Sequence, residues 1–134
     1  MIKQWRNEKE WVNAKQSWFL VGLITLIGMI LRLINLNALS LWVDEYPVVM
    51  EAMEILRGEP LEYKKALVNT FTVLPLFKIF GASEWMARLP NALFGALCIP
   101  LIFLLGQRLF NRTVGLRAAL LGSFSLYTVF WSRV

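Results

Sequence analysis

The sequence predicts an all-α integral membrane protein: about three transmembrane helices, with amphipathic membrane-surface helices in the first outer loop. Three observations predict it. The chain has 134 residues, 57% of them hydrophobic and 17% charged, whereas soluble domains average about 45–50% apolar and about 25% charged residues. The apolar residues gather into three long stretches, each close to the ~20 residues that a spanning helix needs. The basic residues near these stretches fall where the positive-inside rule places cytoplasmic segments. The composition also excludes some chemistry. Histidine is absent, which removes the commonest general base and metal ligand. The single cysteine, Cys98, rules out an intrachain disulfide and any Cys-based zinc pattern. Fourteen Lys+Arg stand against nine Asp+Glu, but in a membrane chain their placement carries the information, and no nucleic-acid partner is expected.

A cytoplasmic tail, 1–17, holds Lys3, Arg6, Lys9 and Lys15. The first span is expected over 18–36, with Arg32 near enough to its end to snorkel to the headgroups. The second is expected over 89–105, where Pro90 suits a first helical turn and Pro100 predicts a kink. A short cytoplasmic loop, 106–113, carries Arg108 and Arg112. The third span is expected over 114–131, leaving 132–134 as an outer end. In this arrangement 37–88 lies outside the membrane, with seven acidic residues against five basic ones. A fourth apolar stretch, 66–82, is read as non-spanning, because a fourth span would put the arginine loop outside.

The outer segment has its own pattern. Val48, Val49, Ala52, Met53 and Leu56 recur at helical spacing behind Asp44-Glu45, and Gly58-Glu59-Pro60 stops the run. This predicts an amphipathic helix on the membrane surface, with Glu51 and Glu54 pointing away from the apolar stripe. Pro75 is expected to open a second short helix over 76–80, closed by Gly81.

Two sets of residues could carry chemistry. Asp44 and Glu45 sit at a helix start, where carboxylates are stabilised as caps; at a membrane surface such a carboxylate could also deprotonate a hydroxyl acceptor. Arg32, Arg88 and Arg133 fall at the outer ends of the three spans, where arginine is disfavoured unless it has a task. Snorkelling is one task; holding a phosphate bidentately is another. Asn111-Arg112-Thr113 matches a glycosylation sequon but falls in the cytoplasmic loop, so it is read as coincidence.

In their order and spacing these residues resemble the start of the polyprenyl-phosphate-dependent glycosyltransferases of the C superfamily, in particular the dolichyl-phosphate-mannose–protein mannosyltransferases and the lipid A aminoarabinose transferases. The resemblance runs through Leu31-Arg32-Leu33, Leu41-Trp42-Val43-Asp44-Glu45, Leu74-Pro75-Leu76, Phe80-Gly81-Ala82-Ser83-Glu84, Ala87-Arg88-Leu89-Pro90-Asn91, Leu105-Gly106-Gln107-Arg108 and Trp131-Ser132-Arg133. It implies an inverting transfer of a sugar from a lipid-linked donor to a hydroxyl, with Asp44 as general base and Glu45 beside it. It also implies that Arg32, Arg88 and Arg133 serve the donor phosphate or the structure around it. Members of the family usually carry His-Pro-Pro-Leu or Lys-Pro-Pro-Leu where this chain has Thr72-Val73-Leu74-Pro75-Leu76. They also continue beyond the Ser-Arg pair, so the resemblance covers only the N-terminal part of such an enzyme, expected to be inactive alone.

The expected partners are membrane lipid, the lipid-linked sugar donor and the remaining C-terminal part of the enzyme. The expected location is the plasma membrane, with the N-terminus cytoplasmic. No cofactor and no metal site are indicated. The rival reading is a small non-enzymatic three-span protein that binds lipid or partner helices, in which Asp44-Glu45 is only a cap.

Overall fold

The computed structural model describes residues 13–36, 41–60 and 67–132. Among these residues the elements are α1 (Ala14–Leu33), α2 (Glu45–Arg57), α3 (Leu67–Phe80), α4 (Glu84–Leu109), α5 (Arg112–Phe124) and α6 (Leu126–Trp131), with no strand. Two helices, α1 and α4, are long and apolar enough to cross a membrane. The chain is thus an all-α membrane protein. It divides into two compact units, one containing 13–34 and 92–132, the other 35–91.

The first unit contains α1, the 92–109 part of α4, α5 and α6. α1 starts one turn before its apolar run because Asn13 and Gln16 form a reciprocal capping box: Asn13 Oδ1 accepts from Gln16 N at 2.9 Å. It ends at Leu33, earlier than hydropathy suggested, because Ile34 is extended and Asn35 takes a left-handed φ of 54°. Its buried face meets α4 and α5 around Val21, Ile99, Phe103 and Ala119. The Trp18 and Phe103 rings meet edge-on at 5.4 Å.

α4 begins at Glu84 rather than Leu89, and Ser83 Oγ accepts from Met86 N at 3.3 Å at its start. Pro90 is therefore interior, and the chain stays helical through Pro90 and Pro100. Its 26 residues extend about 39 Å, longer than a hydrocarbon core of ~30 Å. After a two-residue turn, Asn111 caps α5 by accepting from Val114 N at 2.9 Å. The sequon asparagine is thus 4% exposed and employed as a helix cap. α4 and α5 come close at Gly106, where an added Cβ would lie 2.7 Å from Gly115 Cα.

The third expected span is two helices, not one. α5 has 13 residues and α6 has six, and Ser125 between them is extended, with φ −59° and ψ 119°. No proline causes the interruption.

In the second unit α2 packs on α3. Val48 and Ala52 meet Val73 and Phe77, with Ala87 completing the cluster. The apolar stripe of α2 is therefore partly covered by protein. Glu51 and Glu54, expected to point away, are 0% and 7% exposed, and Thr70 Oγ1 donates to Glu51 Oε2 at 2.7 Å. Glu51 is buried because the face of α2 that meets α3 is wider than the apolar stripe. Gly58 ends α2 in the left-handed conformation, φ 70°, as the Gly-Glu-Pro run indicated. α3 extends from Leu67, so Pro75 lies inside it rather than opening it. The proline forfeits one bond to the Phe71 carbonyl, while burial of Val73 and Phe77 on α2 retains the helix.

The Gly106–Gly115 contact is backbone to backbone, so no rotamer change relieves an added methyl. Gly106→Ala is expected to cost about 1–3 kcal/mol in reversible unfolding of the purified chain in mixed detergent micelles. Gly22→Ala, where an added Cβ meets nothing within 4 Å, is expected to leave stability unchanged or slightly raised.

Candidate functional site

The acid couplet is divided by the fold. The turn into α2 is closed by Glu45 N and Tyr46 N, which both donate to Trp42 O at 2.9 and 3.1 Å. Reciprocally, Glu45 Oε2 accepts from Trp42 N at 2.8 Å, the two residues standing three apart as in a capping box. Glu45 is thereby turned inward and is 8% exposed. Asp44 occupies the N-cap position, but its backbone is αR and its side chain makes no capping hydrogen bond. Its carboxylate is exposed.

Inside, Glu45 meets Arg88. Arg88 Nε donates to Glu45 Oε1 at 2.6 Å and Nη2 donates to Oε2 at 2.7 Å, a bidentate pair with both side chains under 10% exposed. Arg88 Nη1 donates to Leu36 O at 2.6 Å. One guanidinium thus ties the chain at Leu36 and the start of α2 to the start of α4. Its fork, expected to face a donor phosphate, is filled by a carboxylate and a carbonyl. Glu45, expected beside Asp44 as a second catalytic carboxylate, spends both oxygens on Arg88 and Trp42. The couplet consequently presents one open carboxylate, not the pair that a divalent cation would favour.

Arg32 lies in the other unit and is 1% exposed. Its Nη1 donates to Gly28 O at 2.9 Å and Ser123 O at 3.3 Å, and Nη2 donates to Gly122 O at 3.4 Å. This guanidinium too faces protein acceptors. Arg133 lies outside the described residues; Ser132, before it, donates its hydroxyl to Val129 O at 3.0 Å.

The Glu45–Arg88 pairing, 43 residues apart in sequence, has no local signal. The Trp42–Glu45 spacing does have one, since a carboxylate three residues after a turn residue is a capping-box pattern. The Leu36 carbonyl carries no side-chain signature at all.

These features define an all-helical membrane protein with one exposed carboxylate held at a helix start by a buried ion pair. The chain belongs to the dolichyl-phosphate-mannose-protein mannosyltransferase family, whose profile matches residues 64–134. The matched segment contains Arg88 and Arg133 and begins after Arg32, Asp44 and Glu45. No curated protein and no solved structure matches the chain significantly.

Because the pair is desolvated, removing one partner strands the other. Glu45→Gln and Arg88→Met are each expected to cost about 3–5 kcal/mol in unfolding experiments. The double variant should cost clearly less than the two together, and strict additivity would show that the two groups do not interact.

Proposed function

We propose that this glycosyltransferase-family chain takes part in transferring a sugar from a polyprenyl-phosphate donor to a hydroxyl acceptor, with Asp44 as the general base. The single observation that supports this is the division of the couplet. Glu45 is anchored by Arg88, and the adjacent Asp44 is left exposed with no capping bond.

The chemistry balances without a strong acid. The acceptor oxygen attacks the anomeric carbon and passes its proton to the Asp44 carboxylate. The bond from that carbon to the phosphate oxygen breaks, and polyprenyl phosphate leaves with the electron pair. Attack from the face opposite the leaving group inverts the anomeric centre. The leaving group is already a stabilised anion, so cationic neighbours are sufficient to assist its departure. With the forks of Arg32 and Arg88 engaged by protein, the phosphate falls to Arg133, on the resemblance of the Ser132-Arg133 pair to the family's Ser-Arg motif. Mannose, from the family's name, is the first donor sugar to test. The rest of the polypeptide that such a reaction requires, the plasma membrane and an outward-facing first loop belong to the same proposal.

In membranes expressing the gene that encodes this chain, Asp44→Asn is expected to lower transfer from a labelled polyprenyl-phosphate sugar by about 10²-fold or more, the usual worth of a positioned base. Asp44→Glu should retain part of the activity. Undiminished transfer by Asp44→Asn would remove that residue from its role. Orientation is checked in a Cys98→Ala background. Cysteines introduced at the exposed positions Glu59 and Phe110 should react with an impermeant thiol reagent from opposite faces of the membrane.

A further inference from the structure

The stretch from Arg112 to Trp131 contains no proline, yet it is not one helix. Helical geometry stops at Phe124, and Ser125 is extended. Gly122, Ser123 and Ser125 are modest helix formers, but none of them forbids a helix. Within a hydrocarbon core an interruption is costly, because each freed carbonyl and amide lacks water as a partner. Something outside the local sequence must therefore support the break.

Arg32 is placed to do so. In an uninterrupted helix the carbonyls of Gly122 and Ser123 would accept from the amides of Leu126 and Tyr127. Instead they face the Arg32 guanidinium at 3.4 and 3.3 Å. The Thr128 hydroxyl lies 2.7 Å from Gly122 O and 3.0 Å from Ser125 O, the nearer being the better acceptor for its one proton, and it accepts from Arg32 Nη2 at 3.5 Å. The Arg32 contacts to α5 are long for hydrogen bonds, but the charge faces the negative end of a helix dipole, which extends its reach in an apolar setting. Among the described residues no carboxylate forms an ion pair with Arg32. Two glycines make room for it. A Cβ on Gly28 would lie 3.3 Å from Nη1, and one on Gly95 would lie 3.1 Å from Nε. Nε itself is buried and has no hydrogen-bond partner among the described residues.

We infer that Arg32 is a positioning residue that holds the third apolar stretch broken at Ser125. It takes the place of two helical amide donors, with Thr128 as its accessory. It thereby sets the course of Leu126–Trp131 and of Ser132 behind them. This inference bears on the proposed transfer only through the Ser132-Arg133 end of the chain, and it is testable without turnover.

The experiment uses the full chain in lipid nanodiscs with [13C]serine, the Ser125 signal being assigned by its loss in Ser125→Ala. In the native chain its Cα shift should fall on the extended side of the random-coil value. In Arg32→Leu it should move to the helical side, while Ser17, buried early in α1, keeps its position. Should Ser17 also move, showing that this variant does not fold, Arg32→Lys is decisive. A single ammonium cannot reproduce a fork spread over two carbonyls, so Ser125 should again move toward the helical side. Thr128→Val should shift it in the same direction by less. A helical shift at Ser125 in the native chain would overturn the inference, as would an extended shift that persists in a folded Arg32 variant. Neither result touches the role of Asp44, and loss of the Asp44 reading leaves this one standing.

Discussion

The bond between Glu45 and Arg88 is the constraint from which the second unit is built. Desolvating a carboxylate and a guanidinium is expensive, and their attraction offsets that only when the geometry is good and the remaining polar atoms are occupied. Both conditions are met in this pair. The fork is bidentate at 2.6 and 2.7 Å, the third guanidinium nitrogen meets Leu36 O, and Glu45 Oε2 also accepts from Trp42 N. The pair joins three points of the chain that no continuous helix connects. It also fixes the first turn of α2, and so decides that Asp44, one residue earlier, faces solvent.

Much of the architecture was legible in the sequence, because hydrophobic length is a strong signal. The apolar runs behind α1 and α4 are evident without any structure. Their ends are not, since capping chemistry moves them: Asn13 with Gln16 starts α1 early, left-handed Asn35 follows its early end, and Ser83 precedes a longer α4. Gly58 and Gly81 stop α2 and α3 as read, with φ of 70° and 86°. Pro75 misleads because its local preference for a first turn is overridden by the packing of Val73 and Phe77. Glu51 misleads for a related reason. A carboxylate reads as surface, but burial depends on the width of the face that a neighbouring helix covers, and α2 meets α3 over more than its apolar stripe.

The candidate site was legible as letters and not as geometry. The Asp-Glu couplet and the arginines near span ends stand out from the sequence, but which acid points outward depends on a partner 43 residues away. The break at Ser125 illustrates the same limit. No residue in its own helix demands it, and the group that faces its carbonyls lies about ninety residues earlier in the chain. Local pattern finds elements whose causes are local; these two features have tertiary causes.

Arg32 and Arg88 are neutralised in different ways, and this bears on any anionic ligand. Arg88 is matched by a full negative charge. A phosphate that displaced Glu45 from it would leave a carboxylate buried and unpaired, at a cost of about 3–5 kcal/mol. Arg32 is matched only by neutral oxygens, chiefly carbonyl dipoles at a helix end, a weaker counter-charge of about half an elementary unit, but the residue is 1% exposed. Drawing either guanidinium toward a donor would therefore undo something structural: the anchor of Asp44 in one case, the capped break before α6 in the other. A site that keeps its base in place during turnover is better served by leaving both arginines where they are. It would then meet the phosphate with another cation, the part proposed above for Arg133 on the resemblance of the Ser132-Arg133 pair.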